Sequence, residues 1–389
     1  MARVLLGWEL GANRGHSVRL ARLASALRAA GHEVSFALQR IDSFAPDTVH
    51  EDSVWQAPVT PRFLISTARP VAAPPVSMAD VLARVGMDDP ALIAAMIRGW
   101  ERLFDAIRPD VVLGDFAPFL HLAARGRVPM IAIGTGYSLP PAQLRAFPGF
   151  IEATQGSDEG PLLAAVNSAL KQVGRAPLDA LPAIWSADRA IPATLAELDP
   201  YAAHRGDDYA SPLDPGFDAR AGGGEEVFVY APERMSAQAP IWPALAASGL
   251  KVRVHLARAG ADLQAELARF GFIVEPDPLP FTLIAQRSRL LVSHGGHGFV
   301  SAGLQAGLPQ VVVHFDLEKL LHGLAVARAG VGGHASLGTL DRERFGADLA
   351  AMHRDEALAS RARALAEEIR ARGQPPLDPL VLDAVAALS

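Results

Sequence analysis

The sequence predicts two α/β domains in tandem, each a Rossmann-like parallel sheet covered by helices, and three observations support this. The first is length: 389 residues exceed one ordinary hydrophobic core, so two domains are expected. The second is the repeated alternation of short apolar runs with helical segments, which calls for βαβ units and hence parallel strands. The third is a break in that alternation over residues 205–224, "RGDDYASPLDPGFDARAGGGEE", whose Gly, Pro and Asp content suits a join between domains. The domains are accordingly placed at residues 1–210 and 225–389, the second including the C-terminal helices, with a linker at 211–224.

The elements follow in order. "RVLLGW" is a buried strand and "ELGANRGH" the loop after it. From Ser17 to Ala30, Leu20, Leu23 and Leu27 fall on one helical face, and Gly31 ends the helix. "EVSFAL" completes the first βαβ unit, and a Pro-rich irregular stretch follows from Pro58 to Pro75. A helix from about Pro90 to Ile107 leads to the strand "PDVVLGD", ending at Asp115, and "VPMIAIGTG" is the next strand. Beyond the break, "EVFVYAP", "KVRVHL", "FIVE", "RLLVSH" and "QVVVHF" are strands with helices between them. From Asp341 onward the chain is helical. In such sheets ligands bind beyond the carboxyl ends of the strands.

Composition excludes several functions. Half the residues are apolar, so the chain is not disordered. The net charge is -6, with 36 basic and 42 acidic side chains and no long run of one sign, which argues against a nucleic-acid partner. With no cysteine there is no disulfide and no thiolate chemistry. No apolar run approaches the roughly 20 residues of a membrane helix, and no signal peptide is visible, so a cytoplasmic protein is expected. The histidines form no HExxH or similar motif, so no zinc is expected.

The densest chemistry lies in "VSHGGHGFVSAGLQAGLPQVVV", Val292 to Val313. A strand enters and a helix leaves, so the turn His294–Gly298 sits at a strand's carboxyl end and a helix's amino end. Free backbone N–H groups and the helix dipole favour an anion there, and glycines let the backbone approach phosphate closely. His294 and His297 can each donate a ring hydrogen bond. The Lys-Ser/Thr pair of a Walker loop is absent, as is a GxGxxG dinucleotide fingerprint. The alternative is a tight structural turn whose histidines cap a helix.

This stretch resembles the donor-binding motif of GT-B nucleotide-sugar glycosyltransferases, the superfamily of bacterial antibiotic-modifying and plant UDP-sugar enzymes. That motif runs HGGxGTxxEAxxAGxPQxxxP in bacterial members, and His294, Gly295, Gly296, Gly298, Ala306, Gly307, Pro309 and Gln310 match it at the same spacing. "GANRGHSVRLARLASALRAAGHEVSFAL" resembles the first loop, helix and second strand of these enzymes, and "RPDVVLGDF" the strand bearing their acidic partner. The resemblance implies a GT-B fold, two Rossmann-like domains facing a central cleft, the first binding acceptor and the second nucleotide sugar. It further implies inverting, metal-independent transfer of a sugar from a UDP- or dTDP-type donor to a hydroxyl of a small molecule, with no cofactor beyond the co-substrate. His294 and the backbone of Gly295, Gly296, Gly298 and Phe299 would then hold the diphosphate, and His16 would take the acceptor's proton. Either Asp115 or Glu9 would orient His16. Arg14 and Gly15 in the first loop, His297, and Arg234 after "EVFVYAPE" are further donor-side candidates.

Three departures from the motif stand out. Phe299 replaces a hydroxyl-bearing Thr or Ser, Ala302 replaces Glu, and Glu318-Lys319 stands where an Asp-Gln pair grips sugar hydroxyls. Phe299 and Lys319 keep open a non-catalytic nucleotide-sugar-binding protein, and an epimerase of the same fold is a further alternative. Trp55, Phe63, Tyr137 and Phe147, in the region 54–76 and the segment "GTGYSLPPAQLRAFPGF", are candidate walls for an apolar acceptor.

Overall fold

The computed structural model describes residues 1–11, 15–43, 53–62, 75–151, 158–206, 208–232, 240–256 and 259–389. Contacts divide the chain into two bodies, Met1–Ser211 with Pro375–Ser389, and Pro212–Gln374. None of the described helices is long and apolar enough to cross a membrane.

The first body contains β1 (Arg3–Trp8), α1 (Gly15–Ala29), β2 (Glu33–Leu38), β3 (Ser53–Gln56), α2 (Met78–Arg84), α3 (Pro90–Ile107), β4 (Val111–Asp115), α4 (Pro118–Ala124), β5 (Met130–Gly134), α5 (Gly160–Gln172) and β6 (Arg189–Pro192). Its sheet runs β3-β2-β1-β4-β5-β6, all parallel, the doubly wound order expected of repeated βαβ units. The order changes direction at β1 and β4, so their carboxyl ends border the crevice where such sheets bind ligands. Helix α3 starts where Asp89 accepts hydrogen bonds from the Ala91 and Leu92 amides ahead of Pro90. It buries Ile93, Ile97, Trp100 and Phe104, an i, i+4, i+7, i+11 stripe.

The second body repeats the plan with β7 (Glu226–Ala231), α6 (Ile241–Ala247), β8 (Val252–Leu256), α7 (Ala261–Arg269), β9 (Ile273–Glu275), α8 (Phe281–Arg287), β10 (Ser288–Ser293), α9 (His297–Ala306), β11 (Gln310–His314), α10 (Leu317–Arg328), β12 (Gly332–Ser336), α11 (Arg342–Arg354) and α12 (Glu356–Arg372). The order β12-β11-β10-β7-β8-β9 is again parallel and doubly wound. Here the switch point lies at β7 and β10, and β10 leads directly into the His294 turn.

The structure departs from the sequence expectation at three places. The final helix, α13 (Leu377–Leu388), does not belong to the second domain. Its Leu377, Val381, Ala384 and Val385 complete the first body's core beside Leu20, Leu23, Leu27 and Phe36, and Arg22 of α1 pairs with Asp378 at 3.0 Å. An apolar stripe follows the face it can cover, whatever its place in the sequence. The expected linker at 211–224 is packed at several positions. Phe217, Ala219 and Ala221 join a core cluster of the second body, and the Ala221 and Gly222 amides donate to the carbonyls of Ala306 and Ala285 at 2.8 and 3.0 Å. Finally, β3, β6 and β12 are strands that the apolar-run criterion passes over.

Candidate functional site

In the first body, β1 and β4 lie side by side with Trp8 in register with Asp115, so both side chains point to the same face of the sheet. Helix α1 covers that face and begins one residue before His16. The His16 ring stacks on Trp8 at 5.3 Å between centroids and on Phe116 at 6.3 Å. Its Nδ1 lies 3.1 Å from Asp115 Oδ1, an ion-pair contact whose alignment falls short of a hydrogen bond. Asp115 is fully buried, and its other oxygen accepts a hydrogen bond from Arg19 Nη1 at 3.0 Å. Two backbone features frame the ring. Phe116 has φ 47°, a left-handed conformation rare for an aromatic residue, and its carbonyl accepts from the Leu10 amide at 3.0 Å. Gly11 has φ 96°, and a Cβ there would stand 2.5 Å from His16 Nε2. The nitrogen opposite the carboxylate therefore faces a position that only glycine leaves empty.

The structure separates the two carboxylates that the sequence left as alternatives. Glu9 follows Trp8 and points to the opposite face of the sheet, so it is not the partner of His16. Buried there, its carboxylate accepts hydrogen bonds from the Phe119 and Leu120 amides, both at 2.8 Å, and from the Trp100 indole. It thus ties the start of α4 and the middle of α3 to the end of β1. Burial pushes its carboxyl up to about 8 from 4.5, against the opposing effect of those hydrogen bonds.

This shift carries a stability prediction. Below the unfolded value the acid is protonated in both states. Between that value and about 8 only the unfolded chain releases the proton, so stability falls as pH rises. The slope from this one group is about 1.4 kcal/mol per pH unit. Glu9→Gln has no proton to release and should lose that part of the slope. Urea midpoints at pH 5.5 and 7.5 measure it, and equal slopes for the two proteins would refute the assignment.

Arg14 lies outside the described residues, and Gly15 opens α1 on the surface. Among the aromatic candidates, Trp55 is 39% exposed on β3, while Tyr137 and Phe147 are buried against Phe116, Phe150 and Trp185. Phe63 is outside the described residues.

In the second body the turn takes the expected position between β10 and α9. Gly295 has φ 86°, and a Cβ on it would stand 2.6 Å from Val312 Cγ1. Gly296 is the N-cap of α9, whereas a Cβ on Gly298 would enter open space. His294 is only 6% exposed, held between the rings of Tyr230 and Phe315 at 5.4 and 6.2 Å. Its Nδ1 is buried, and the Tyr230 backbone lies close enough to the ring to favour its charged form slightly without an aligned hydrogen bond. Burial pushes its pKa down to about 4, and the charge of Lys319 adds to the effect, so the ring is neutral at pH 7. His322 of α10 lies beneath the turn, with Nδ1 2.7 Å from the Gly295 carbonyl. The carbonyl can only accept, so the proton is on Nδ1. Burial lowers this histidine too. The ring of His297 is 5.4 Å from that of His322.

Phe299 offers no hydroxyl. Its ring joins an aromatic cluster with Tyr230, Phe228 and Phe281 at 5.1, 6.2 and 5.4 Å. Lys319 is not a solvated residue at a helix start: it is 3% exposed. Its Nζ lies 2.5 Å from Glu318 Oε2 and 4.0 Å from Asp316 Oδ1, and Asp316 also caps α10 by accepting from the Lys319 amide. Burial would lower the pKa of Lys319, but the two carboxylates outweigh it and hold the ammonium charged. Arg234 lies outside the described residues. Among those residues, no three His, Cys, Asp or Glu side chains gather as a metal site requires. Sequence reasoning missed Trp8, Gly11, Arg19, Phe116 and His322, whose roles arise from contacts far apart in the chain.

Residues 271–380 match the family described as erythromycin biosynthesis protein CIII-like, C-terminal domain. Solved structures match along the whole length. The spinosyn rhamnosyltransferase SpnG is 19% identical with a TM-score of 0.65, the match covering 99% of this chain and 100% of that one. The calicheamicin glycosyltransferase CalG4 is 18% identical with a TM-score of 0.68, covering 100% and 98%. The glycosyltransferase SnogD from Streptomyces nogalater is 17% identical with a TM-score of 0.59, covering 99% of each chain. No curated protein matches the chain by sequence. With two doubly wound parallel sheets and these structural relatives, the chain has the GT-B fold, and its residues 271–380 match the erythromycin biosynthesis protein CIII-like C-terminal domain.

Proposed function

We propose that this protein is a glycosyltransferase that moves a sugar from a nucleoside diphosphate sugar to a hydroxyl of a small, largely apolar acceptor. The observation that carries the reading is the His294 turn: a buried imidazole, a glycine at φ 86° and the amides opening α9, all at a sheet's switch point. Two structures of SpnG, a rhamnosyltransferase of the same fold, hold thymidine diphosphate and spinosyn aglycone. They support a nucleotide donor and a small-molecule acceptor for this chain.

In this reading Nε2 of His16 takes the acceptor's hydroxyl proton while Asp115 stabilises the imidazolium that forms. The acceptor oxygen bonds to the anomeric carbon from the face opposite the leaving group, inverting it. The bond from carbon to diphosphate oxygen breaks, and its electron pair stays on the diphosphate. That charge falls on the α9 amides and the N–H of His294. The reading calls for no metal and no cofactor. Glu318, held by Lys319, is the acceptor of hydrogen bonds from the sugar. Trp55, exposed on β3, suits an apolar acceptor.

Calorimetric titration with UDP-glucose and dTDP-glucose, followed by assays with aglycone panels, tests the proposal. His294→Ala should weaken binding about 10- to 100-fold, the loss of a hydrogen bond to a charged group. Wild-type affinity should be flat from pH 5.5 to 8, because His294 is already neutral throughout and a diphosphate diester does not titrate there. Binding without turnover on any donor and acceptor would make the protein a nucleotide-sugar binder. Absence of binding to every nucleoside diphosphate and its sugars would overturn the proposal.

A further inference from the structure

We infer that Arg19 is a positioning residue that keeps the Asp115 carboxylate ionised beside His16 and thereby sets the pH at which the pair takes up a proton. The inference rests on the reading of His16 as the base and concerns a side chain outside the donor motif. Asp115 is fully buried on β4, where a lone carboxylate would favour its neutral form. Each of its oxygens has a different partner on α1: Oδ1 meets His16 Nδ1 at 3.1 Å and Oδ2 accepts from Arg19 Nη1 at 3.0 Å. His16 and Arg19 are three residues apart, neighbours on one helical face, so a single helix delivers both. A guanidinium is charged at every working pH. It stabilises the carboxylate whether or not His16 is protonated, and its positive charge opposes a second one on the imidazole.

Among the described residues, the other charged groups around α1 are engaged or remote. Arg22, a turn further on, pairs with Asp378 of α13 at 3.0 Å, and Asp383 of α13 is exposed. From β1, Glu9 points to the far side of the sheet, bound to Trp100, Phe119 and Leu120. From β2, Glu33 is exposed at the strand's amino end. The rings against His16, Trp8 and Phe116, do not titrate. Arg19 is therefore a permanent charge in direct contact with the pair.

Removing it should make the pair hold its proton more tightly, moving the acid limb of kcat/KM to higher pH by about one unit. Arg19→Gln tests this, with Arg19→Met repeating the measurement should the Gln variant not fold. Arg19→Lys keeps the charge and should leave the limb within a few tenths of a unit of wild type. A second readout needs no activity: NMR titration of the His16 ring, assigned by its loss in His16→Gln, should show the same displacement. If no donor is turned over, the proposed function fails while the ring titration still decides this inference. Coincident wild-type and Arg19→Gln titrations, or an equal displacement in Arg19→Lys, would overturn it.

Discussion

His16→Ala is expected to lower kcat for sugar transfer by about a hundred- to ten-thousandfold, the usual contribution of a positioned general base. Nucleotide-sugar affinity should stay within about threefold of wild type, because the proposed diphosphate contacts belong to the other body. The geometry behind the expectation is specific. Trp8 and Phe116 stack on the ring, Asp115 meets its Nδ1, and Nε2 faces the empty side of Gly11. Only Nε2 is left to meet an acceptor hydroxyl. Steady-state kinetics combined with calorimetry measures both quantities. A variant that retains wild-type kcat would remove His16 from the chemistry, and one that loses donor binding equally would make it a structural residue.

Gly295→Ala should have the largest effect in the second body, destabilising it by about 2–5 kcal/mol. A left-handed backbone costs an L-residue about 1–2 kcal/mol. Overpacking against Val312, whose Cγ1 would stand 2.6 Å from the new Cβ, adds about 1–3 kcal/mol. Any relaxation that relieves the overlap must rotate the amides opening α9, so nucleotide affinity should fall at least about tenfold even at temperatures where the variant is folded. Gly298→Ala is the informative control. Its Cβ would enter open space, so the fold should be unaffected, and any loss of affinity reports a ligand occupying that space. Scanning calorimetry and nucleotide titration of the two variants measure these effects. An unchanged melting temperature and unchanged affinity in Gly295→Ala would rule out the strained turn as the donor site.

Most of the strands that were legible in the sequence are buried on both faces, the exception being the edge strand β9, which its Phe-Ile-Val run betrays. β1, β2, β4, β7, β8, β10 and β11 are runs of Val, Leu, Ile and Phe, because helices cover the sheet above and below. The strands that escaped detection lie at sheet edges. β3 is "SVWQ", exposed at every residue; β6 is "RAIP", ending in a proline that an edge tolerates; β12 is "GGHAS", only partly buried. An edge strand needs little apolar surface, so composition does not reveal it. The same limit applies to side chains. A motif within one turn, such as His294–Gly298, is local and carries its own signature. Arg19, Gly11 and His322 matter through what stands opposite them in the fold, and no spacing along the chain encodes that.

The sequence by itself determined the two parallel α/β domains, the glycine-rich turn after β10, and the places of His16 at the start of α1 and of Asp115 at the end of β4. These follow from local apolar patterning and from glycines that a turn requires. Only the tertiary structure decided which carboxylate meets His16, that Lys319 is buried, and that the last helix returns to the first body. Glu9 and Trp8 are adjacent, and strand alternation sends them to opposite faces. Which of those faces α1 covers is a matter of packing between segments about a hundred residues apart, and it is that packing, rather than residue type, that makes Asp115 the partner and leaves Glu9 a buried acid beneath α4.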